Sequence, residues 1–411
     1  MAAPEVVVTG MGCVSPHGKG VAALWDGLLA GRSGFSPLTL FDASVFRNPL
    51  AGVVSGYPPV VPASLPAGTE AGPTRAIRML QDAAGEALAD ALGPDPRHAV
   101  EADADLRNAA IVTGTNFGGM SAAEVALVGG RTDPSKGSLD GYLFGTAANM
   151  LAQRFGIRGP QLNLSLSCAS GTAAIGLAFD MIRCGRAEAA LACGYDELSL
   201  FIYAGLSALR AITPETIRPF DKRRKGTLFS EGAGVWLLES AEHAARRKAH
   251  VYARVCGRFM NNDAYHMTAP ETEARGIQAL MRGALADAAI EPGRIDHLNL
   301  HATGTPYNDA IETKAAYAVF GDRAAQIPVA AVKSSIGHCM GAAGIIEATV
   351  AVKTICEGKI PPVLGLDPAE QDPACNLRVP TGAPLEGSFK TVLKTSYGFG
   401  GTNAAVVLQR V

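Results

Sequence analysis

The feature that most constrains the fold of this 411-residue chain is an internal echo, in which one order of apolar runs, glycine-ended strands and glycine-bounded helices occurs twice. In the first half, Ala109 to Gly114 ends in Gly-Thr, Gln161 to Leu166 feeds a run of small residues that opens a helix at Cys168, and Ala189 to Gly194 precedes Gly234 to Glu239. In the second, His297 to His301 ends near Gly304-Thr305, Val329 to Lys333 feeds a glycine-rich helix, and Lys390 to Thr395 precedes Ala404 to Gln409. Gly171 and Gly185 stand fourteen positions apart, as do Gly344 and Gly358, and each pair brackets a helix that its second glycine can cap. Short apolar runs alternating with helical patterns predict buried strands in βα units. The repeat places a boundary near Val251, giving halves 1–250 and 251–411. No linker-like stretch marks it, so the halves are expected to share one packed body.

The composition, 48% hydrophobic and 18% charged, suits a large enzyme with an extensive core. A net charge of -2 gives no electrostatic reason to expect nucleic-acid binding or adhesion to an anionic membrane. The eight cysteines are scattered without a Cys-x-x-Cys pair, so neither zinc nor a redox pair is suggested. The start Met1-Ala2-Ala3-Pro4-Glu5 has no signal-peptide pattern, and Val6-Val7-Val8 is too short to span a bilayer, which points to the cytoplasm. Gly10-Met11-Gly12 after the valine run resembles a dinucleotide fingerprint, but Ser15 stands where its third glycine is needed. Asn48 to Thr74 reads as a surface excursion, and Arg75 to Leu92 as an amphipathic helix.

Three side chains carry candidate chemistry. Cys168 lies at a helix start, where unpaired N–H groups and the positive end of the macrodipole hold a thiol closer to its thiolate form. A small buried apolar residue also fits that position. His301, in His301-Ala302-Thr303-Gly304-Thr305, and His338, in Gly337-His338-Cys339-Met340-Gly341, each follow a predicted strand end. In a parallel α/β sheet the carboxyl ends of strands gather the active site, so all three can converge. Taken singly, a histidine in such a place is more often structural than functional. His17, His98, His243, His250, His266 and His297 lack such Gly/Thr settings.

In their order and spacing these motifs resemble a β-ketoacyl synthase of the elongating synthase II type, in the thiolase-like superfamily. The likeness runs from Val7-Val8-Thr9-Gly10-Met11-Gly12 to Gly398-Phe399-Gly400-Gly401-Thr402-Asn403. It includes Arg218-Pro219-Phe220-Asp221, Glu231-Gly232-Ala233-Gly234 and Glu312 in Asp309-Ala310-Ile311-Glu312. The resemblance implies an α/β fold of two similar halves in a five-layered αβαβα body. It implies a decarboxylative Claisen condensation on acyl carrier protein, serving fatty-acid or type II polyketide synthesis. Cys168 would hold the acyl chain, and the backbone N–H groups of Cys168 and Phe399 would bind the oxyanion. His301 and His338 would act as two neutral donors to the malonyl thioester carbonyl, with Lys333 and Glu312 as a supporting ion pair. Phe399 would also gate the acyl pocket.

Thr303 and Thr305 match positions that hydrogen-bond the phosphopantetheine arm, although threonine there also caps turns. Arg78 and Arg210 resemble carrier-docking residues, and Lys222-Arg223-Arg224-Lys225 is the densest basic run. The substrates would ride on carrier phosphopantetheine, with no separate cofactor and no metal. The expected assembly is a homodimer, with a heterodimer with a chain-length factor as the polyketide alternative.

Ala302, Thr227 and Tyr397 depart from the family's usual glycine, aromatic residue and phenylalanine. Two rival readings have discriminators in the sequence. A non-catalytic chain-length factor lacks the nucleophile that Cys168 supplies. A degradative thiolase carries Cys-x-Gly in its last glycine-rich loop, where this chain has Gly398-Phe399-Gly400; Cys356-Glu357-Gly358 fits that pattern only by letter.

Overall fold

The computed structural model describes residues 3–57, 73–129 and 141–411. Its ten main strands are β1 (Val6–Ser15), β2 (Ala110–Gly114), β3 (Gln161–Leu164), β4 (Ala189–Asp196), β5 (Gly232–Ser240), β6 (Ala253–Asn262), β7 (His297–Asn299), β8 (Val329–Ala330), β9 (Thr391–Gly398) and β10 (Thr402–Gln409). The first five lie side by side in the order β3-β2-β4-β5-β1, and the second five in the order β8-β7-β9-β10-β6, the same order position for position. In each set the first two pairings are parallel and the next two antiparallel. The sets meet where Val6–Val8 of β1 runs antiparallel to Ala253–Val255 of β6.

The helices that matter for the site are α1 (Arg75–Leu92), α2 (Ser170–Arg183), α3 (Arg275–Asp287), α4 (Asn308–Phe320) and α5 (Ala343–Glu357). Side chains alternate along each strand, which lets one strand serve two cores. On β5, Ala233, Val235 and Leu237 face α1 and the helix Phe144–Phe155, whereas Trp236 and Leu238 face α2 and α5. The central core draws on both sets of strands, with Val6 and Ala192 from one and Val392 and Val406 from the other. On the far side α3 and α4 cover β7, β9 and β10. The result is the αβαβα order of layers.

The glycines that mimic a nucleotide fingerprint have a packing role instead. A Cβ on Gly10 would stand 2.2 Å from Ala87 O of α1, and one on Gly12 1.9 Å from Ala83 O, so only glycine lets α1 lie this close to β1. The same holds where the two central helices begin. A Cβ on Gly171 would meet Gly341 O at 2.7 Å, and one on Gly344 would meet Thr172 N at 2.4 Å. Backbone-to-backbone contact at these helix starts draws the Cys168 turn and the His338 turn together. Among the described residues, no helix is long and apolar enough to cross a membrane.

Helix α1 has the predicted bounds, capped by Thr74 Oγ1 accepting from Ile77 N–H. The predicted excursion of 48–74 lies partly outside the described residues. Several strands stop short of their apolar runs: β3 at Leu164, β7 at Asn299 and β8 at Ala330. In each case the chain leaves the ladder to enter the site. Lys333–Ile336 forms a one-turn helix ended by Gly337 at φ +77°, so a break precedes α5 where the sequence predicts a helix fed directly by the strand.

Candidate active site

Cys168, His301 and His338 line one cleft of about 380 Å³, together with Thr303, Thr305 and Phe399. Past the end of β3 the chain turns sharply, with Ser167 at φ +50°, a conformation non-glycine residues rarely adopt. Ser170 Oγ pins this turn, accepting from Leu166 N–H at 2.8 Å and donating to Ser167 O at 2.7 Å. The thiol is therefore presented from a fixed elbow at the start of α2. Cys168 is only 7% exposed. Burial pushes its pKa up to about 12, against the pull of the Lys333 charge and the Phe399 N–H group directed at it.

Against the expectation of a thiol held near its thiolate form, burial is the largest influence on Cys168 and raises its pKa. Iodoacetamide labelling of Cys168 should accordingly accelerate about tenfold per pH unit between pH 7 and 10. A plateau below pH 9 in the measured rates would contradict a raised thiol pKa.

Both histidines are neutral donors by construction. His338 Nδ1 accepts from Met340 N–H at 3.2 Å, and His301 Nδ1 faces Lys333 Nζ at 3.3 Å. With Nδ1 used as an acceptor, the proton of each neutral ring sits on Nε2. Burial, reinforced by Lys333 and Lys394, pushes both pKa values well below the usual imidazole range. The rings meet edge to face with centroids 5.3 Å apart. His338 stacks on Phe229 at 5.5 Å, and Tyr397 abuts His301 at 5.5 Å. The Tyr397 hydroxyl is buried near Glu312 and Thr395 without a well-formed hydrogen bond to either.

The expected Lys333–Glu312 pair does not form. Lys333 donates to His301 O at 2.6 Å and pairs with Glu347, whose other oxygen takes Lys394 Nζ at 2.7 Å. Glu312 instead accepts the backbone N–H groups of His301 at 2.8 Å and Ala302 at 2.9 Å. It thus caps the chain where β7 ends and holds Ala302 at φ +41°, a left-handed conformation that explains the family's usual glycine there. Burial raises the Glu312 pKa to about 7 despite those donors.

Three supporting groups escape sequence reasoning. Glu347 is the lone charge in the first ten residues of α5, and Lys394 is the lone charge in the buried strand β9. A charge within an apolar run must find a buried partner, and that is the signal that could have paired them. Asp196, at the end of β4, accepts from Thr115 Oγ1 at 2.7 Å, from Asn116, Phe117 and Gly118 N–H, and from Gly341 N–H at 2.6 Å. It ties the loop after β2 to the turn after His338.

The basic residues divide. Arg210 is exposed on the cleft wall, whereas Arg78 is exposed away from that wall, with Nε on Pro73 O at 2.9 Å. The run 222–225 is not a free positive patch. Lys222 pairs with Glu370, Arg223 with Asp221, Arg224 with Asp372 and Lys225 with Glu215. Thr303 Oγ1 and Thr305 Oγ1 lie 3.0 Å apart on the cleft wall, and Thr305 also accepts from Asn308 N–H at 3.3 Å, so a turn-capping role coexists with exposure to the cleft.

Residues 3–244 match the model of the β-ketoacyl synthase N-terminal domain, and residues 252–367 that of the C-terminal domain. The chain belongs to the β-ketoacyl synthase family. A 3-oxoacyl-[acyl-carrier-protein] synthase 2 of Coxiella burnetii is 35% identical to this β-ketoacyl synthase over 418 residues, covering 99% of each chain. Nodulation protein E of Rhizobium meliloti is 35% identical over 413 residues, again with 99% of each covered. Among solved structures, a type II polyketide acyl-carrier protein in complex with its ketosynthase aligns over 100% of each chain, at TM-score 0.88 and 28% identity. The ishigamide ketosynthase/chain length factor aligns at TM-score 0.87 and 32% identity, also over 100% of each chain.

This β-ketoacyl synthase has the thiolase-like fold, and it is an acyltransferase of the elongating ketosynthase class, in fatty-acid or polyketide synthesis. Cys356 is exposed at the C-terminal end of α5, with Gly358 as a left-handed cap. Its Cys-x-Gly pattern is therefore a helix terminus, and the residue set against Cys168 is Phe399.

Proposed function

We propose that Cys168 accepts an acyl group from a carrier thioester and holds it while malonyl carrier protein supplies a carbanion equivalent by decarboxylation. The observation that carries this reading is the convergence of a buried thiol on a fixed elbow with two neutral Nε2–H donors in one cleft. During acyl transfer the Phe399 N–H group, already directed at the thiol, and the Cys168 N–H group bind the oxyanion. As Cys168 Sγ bonds to the thioester carbon, the bond to the carrier sulfur breaks and the thiol proton passes to that departing sulfur, because a pKa near 12 leaves little free thiolate to begin with. During decarboxylation the carbon–carbon bond to the carboxylate breaks, and its electron pair moves toward the thioester oxygen. His301 and His338 donate to that oxygen. Lys333 and Glu347 act as positioning groups, fixing the His301 tautomer and backbone; Glu312 fixes the chain at His301 and Ala302.

The substrates are carried on the phosphopantetheine of an acyl carrier protein, with Thr303 and Thr305 along the arm and Arg210 near the mouth of the cleft. No separate cofactor or metal enters this chemistry. Phe399, flanked by Gly398 and by Gly400 and Gly401 at φ +83° and +74°, packs on the apolar cluster of Leu198, Ile202 and Phe229 and gates the acyl chain's way into it. The two halves 1–250 and 251–411 are proposed as duplicated units, given their shared strand order. A homodimer is the proposed assembly, with a chain-length-factor heterodimer as its polyketide counterpart, in the cytoplasm beside its carrier.

Intact-protein mass spectrometry after incubation with acyl carriers of several lengths tests the reading. One acyl adduct, mapped to Cys168, is expected, and its mass identifies the preferred chain. No adduct with any carrier, or an adduct mapped elsewhere, would overturn it.

A further inference from the structure

One wall of the cleft is an extended segment held at both ends. Gly226 N–H donates to Gly304 O at 3.0 Å, His338 N–H to Leu228 O at 2.8 Å, and Ser230 N–H to His338 O at 3.0 Å. Thr227 is clamped between them, its N–H on Ala211 O at 3.0 Å and its C=O accepting from Thr213 N–H at 2.8 Å. Residues two apart in an extended chain share a face, so Thr227 lies on the face of Phe229, whose ring stacks on His338. Both residues line the cleft. Thr227 is 2% exposed, and its hydroxyl has no hydrogen-bond partner. Buried hydroxyls are almost always paired, and this one stands where the sequence departs from an aromatic residue.

Resting on the ketosynthase reading above, we propose that Thr227 is a specificity-determining residue for the extender unit, its hydroxyl donating to the carboxylate of the malonyl group. The segment's anchors place Thr227 between the Thr303–Thr305 wall and His338. With the pantetheine arm along those threonines and the thioester carbonyl on the histidines, the polar group left to meet Thr227 is the carboxylate. The acyl chain on Cys168 turns the other way, past Phe399 into apolar surroundings. The carboxylate departs as neutral carbon dioxide, so its hydrogen bond weakens toward the transition state. Thr227 therefore contributes to binding and to rejecting acyl carriers that lack a carboxylate, and adds nothing to the decarboxylation step itself.

The test is the malonyl-carrier decarboxylation kinetics of Thr227→Val, close in shape but without the hydroxyl, beside Thr227→Ser, which keeps it. The valine variant should raise KM for malonyl carrier about tenfold or more, with kcat unchanged or higher. The serine variant should restore KM, and acyl loading of Cys168 should match wild type in both. An unchanged KM in Thr227→Val, or a parallel fall in loading and decarboxylation that serine does not rescue, would overturn the assignment. So would a defect confined to loading of β-hydroxyacyl chains relative to saturated ones, which would move the hydroxyl's partner to the acyl side. A wild-type protein that neither loads acyl groups nor releases carbon dioxide would instead remove the ketosynthase reading, and this assignment with it.

Discussion

Replacing Cys168 with alanine should reduce acyl-enzyme formation and condensation to background, while release of carbon dioxide from malonyl carrier protein persists. The asymmetry follows from how the cleft divides its labour. The acyl group needs a covalent anchor, and among the side chains that line the cleft only Cys168 offers a thiol. Decarboxylation needs donors at the thioester oxygen, and the two Nε2–H groups are held by Met340, Lys333 and Glu347 rather than by the thiol. The substitution removes one sulfur from a site framed by backbone contacts at Gly171 and Gly344, so the fold should survive with a stability loss of about 1 kcal/mol. Intact mass with an acyl carrier, condensation with acyl and malonyl carriers together, and labelled carbon dioxide from malonyl carrier alone separate the three activities. Full condensation in the alanine variant would sink the covalent mechanism. Loss of all three activities in a folded protein would show that the histidines depend on the thiol.

The parts of this site legible in the sequence are those where local backbone and chemistry coincide. Cys168 sits where an apolar strand gives way to small residues, and His301 and His338 sit among glycines and threonines that mark strand ends. The repeat of runs and glycines foretold two sets of strands in one order, because short buried strands and their turn residues are written locally. What stayed hidden depends on pairing across the fold. Glu312 is paired with Lys333 only by the family resemblance, and nothing local in the sequence tests that pairing; its carboxylate is consumed by two backbone N–H groups instead. Glu347 and Lys394 come from the middle of a helix and of a strand, 47 positions apart, and only the packing of α5 on β9 brings them together. The thiol's protonation was equally out of reach. A helix start is visible in a sequence, but the depth of burial that works against it is a property of all five layers.

Replacing His338 with alanine should slow malonyl decarboxylation about 10²- to 10³-fold, the usual loss for one preorganised oxyanion donor, while acyl loading of Cys168 falls far less. Loading builds its negative charge near the Phe399 N–H group, and decarboxylation builds it at the oxygen the histidines face. His338 donates at every working pH, because Met340 N–H occupies Nδ1 and burial beside Lys333 and Lys394 keeps the ring neutral. The wild-type decarboxylation profile should therefore show no break near pH 6.5 from imidazole titration. Acidification through that range leaves the ring neutral, because burial holds its pKa well below the usual imidazole range. Alanine also leaves a gap against the Phe229 ring, so His338→Asn, which keeps an N–H donor near the same place, separates chemistry from packing. Partial recovery of decarboxylation in the asparagine variant, with loading near wild type in both, is the expected pattern. Equal losses of loading and decarboxylation in both variants would refute the division between the backbone oxyanion site and the two histidines.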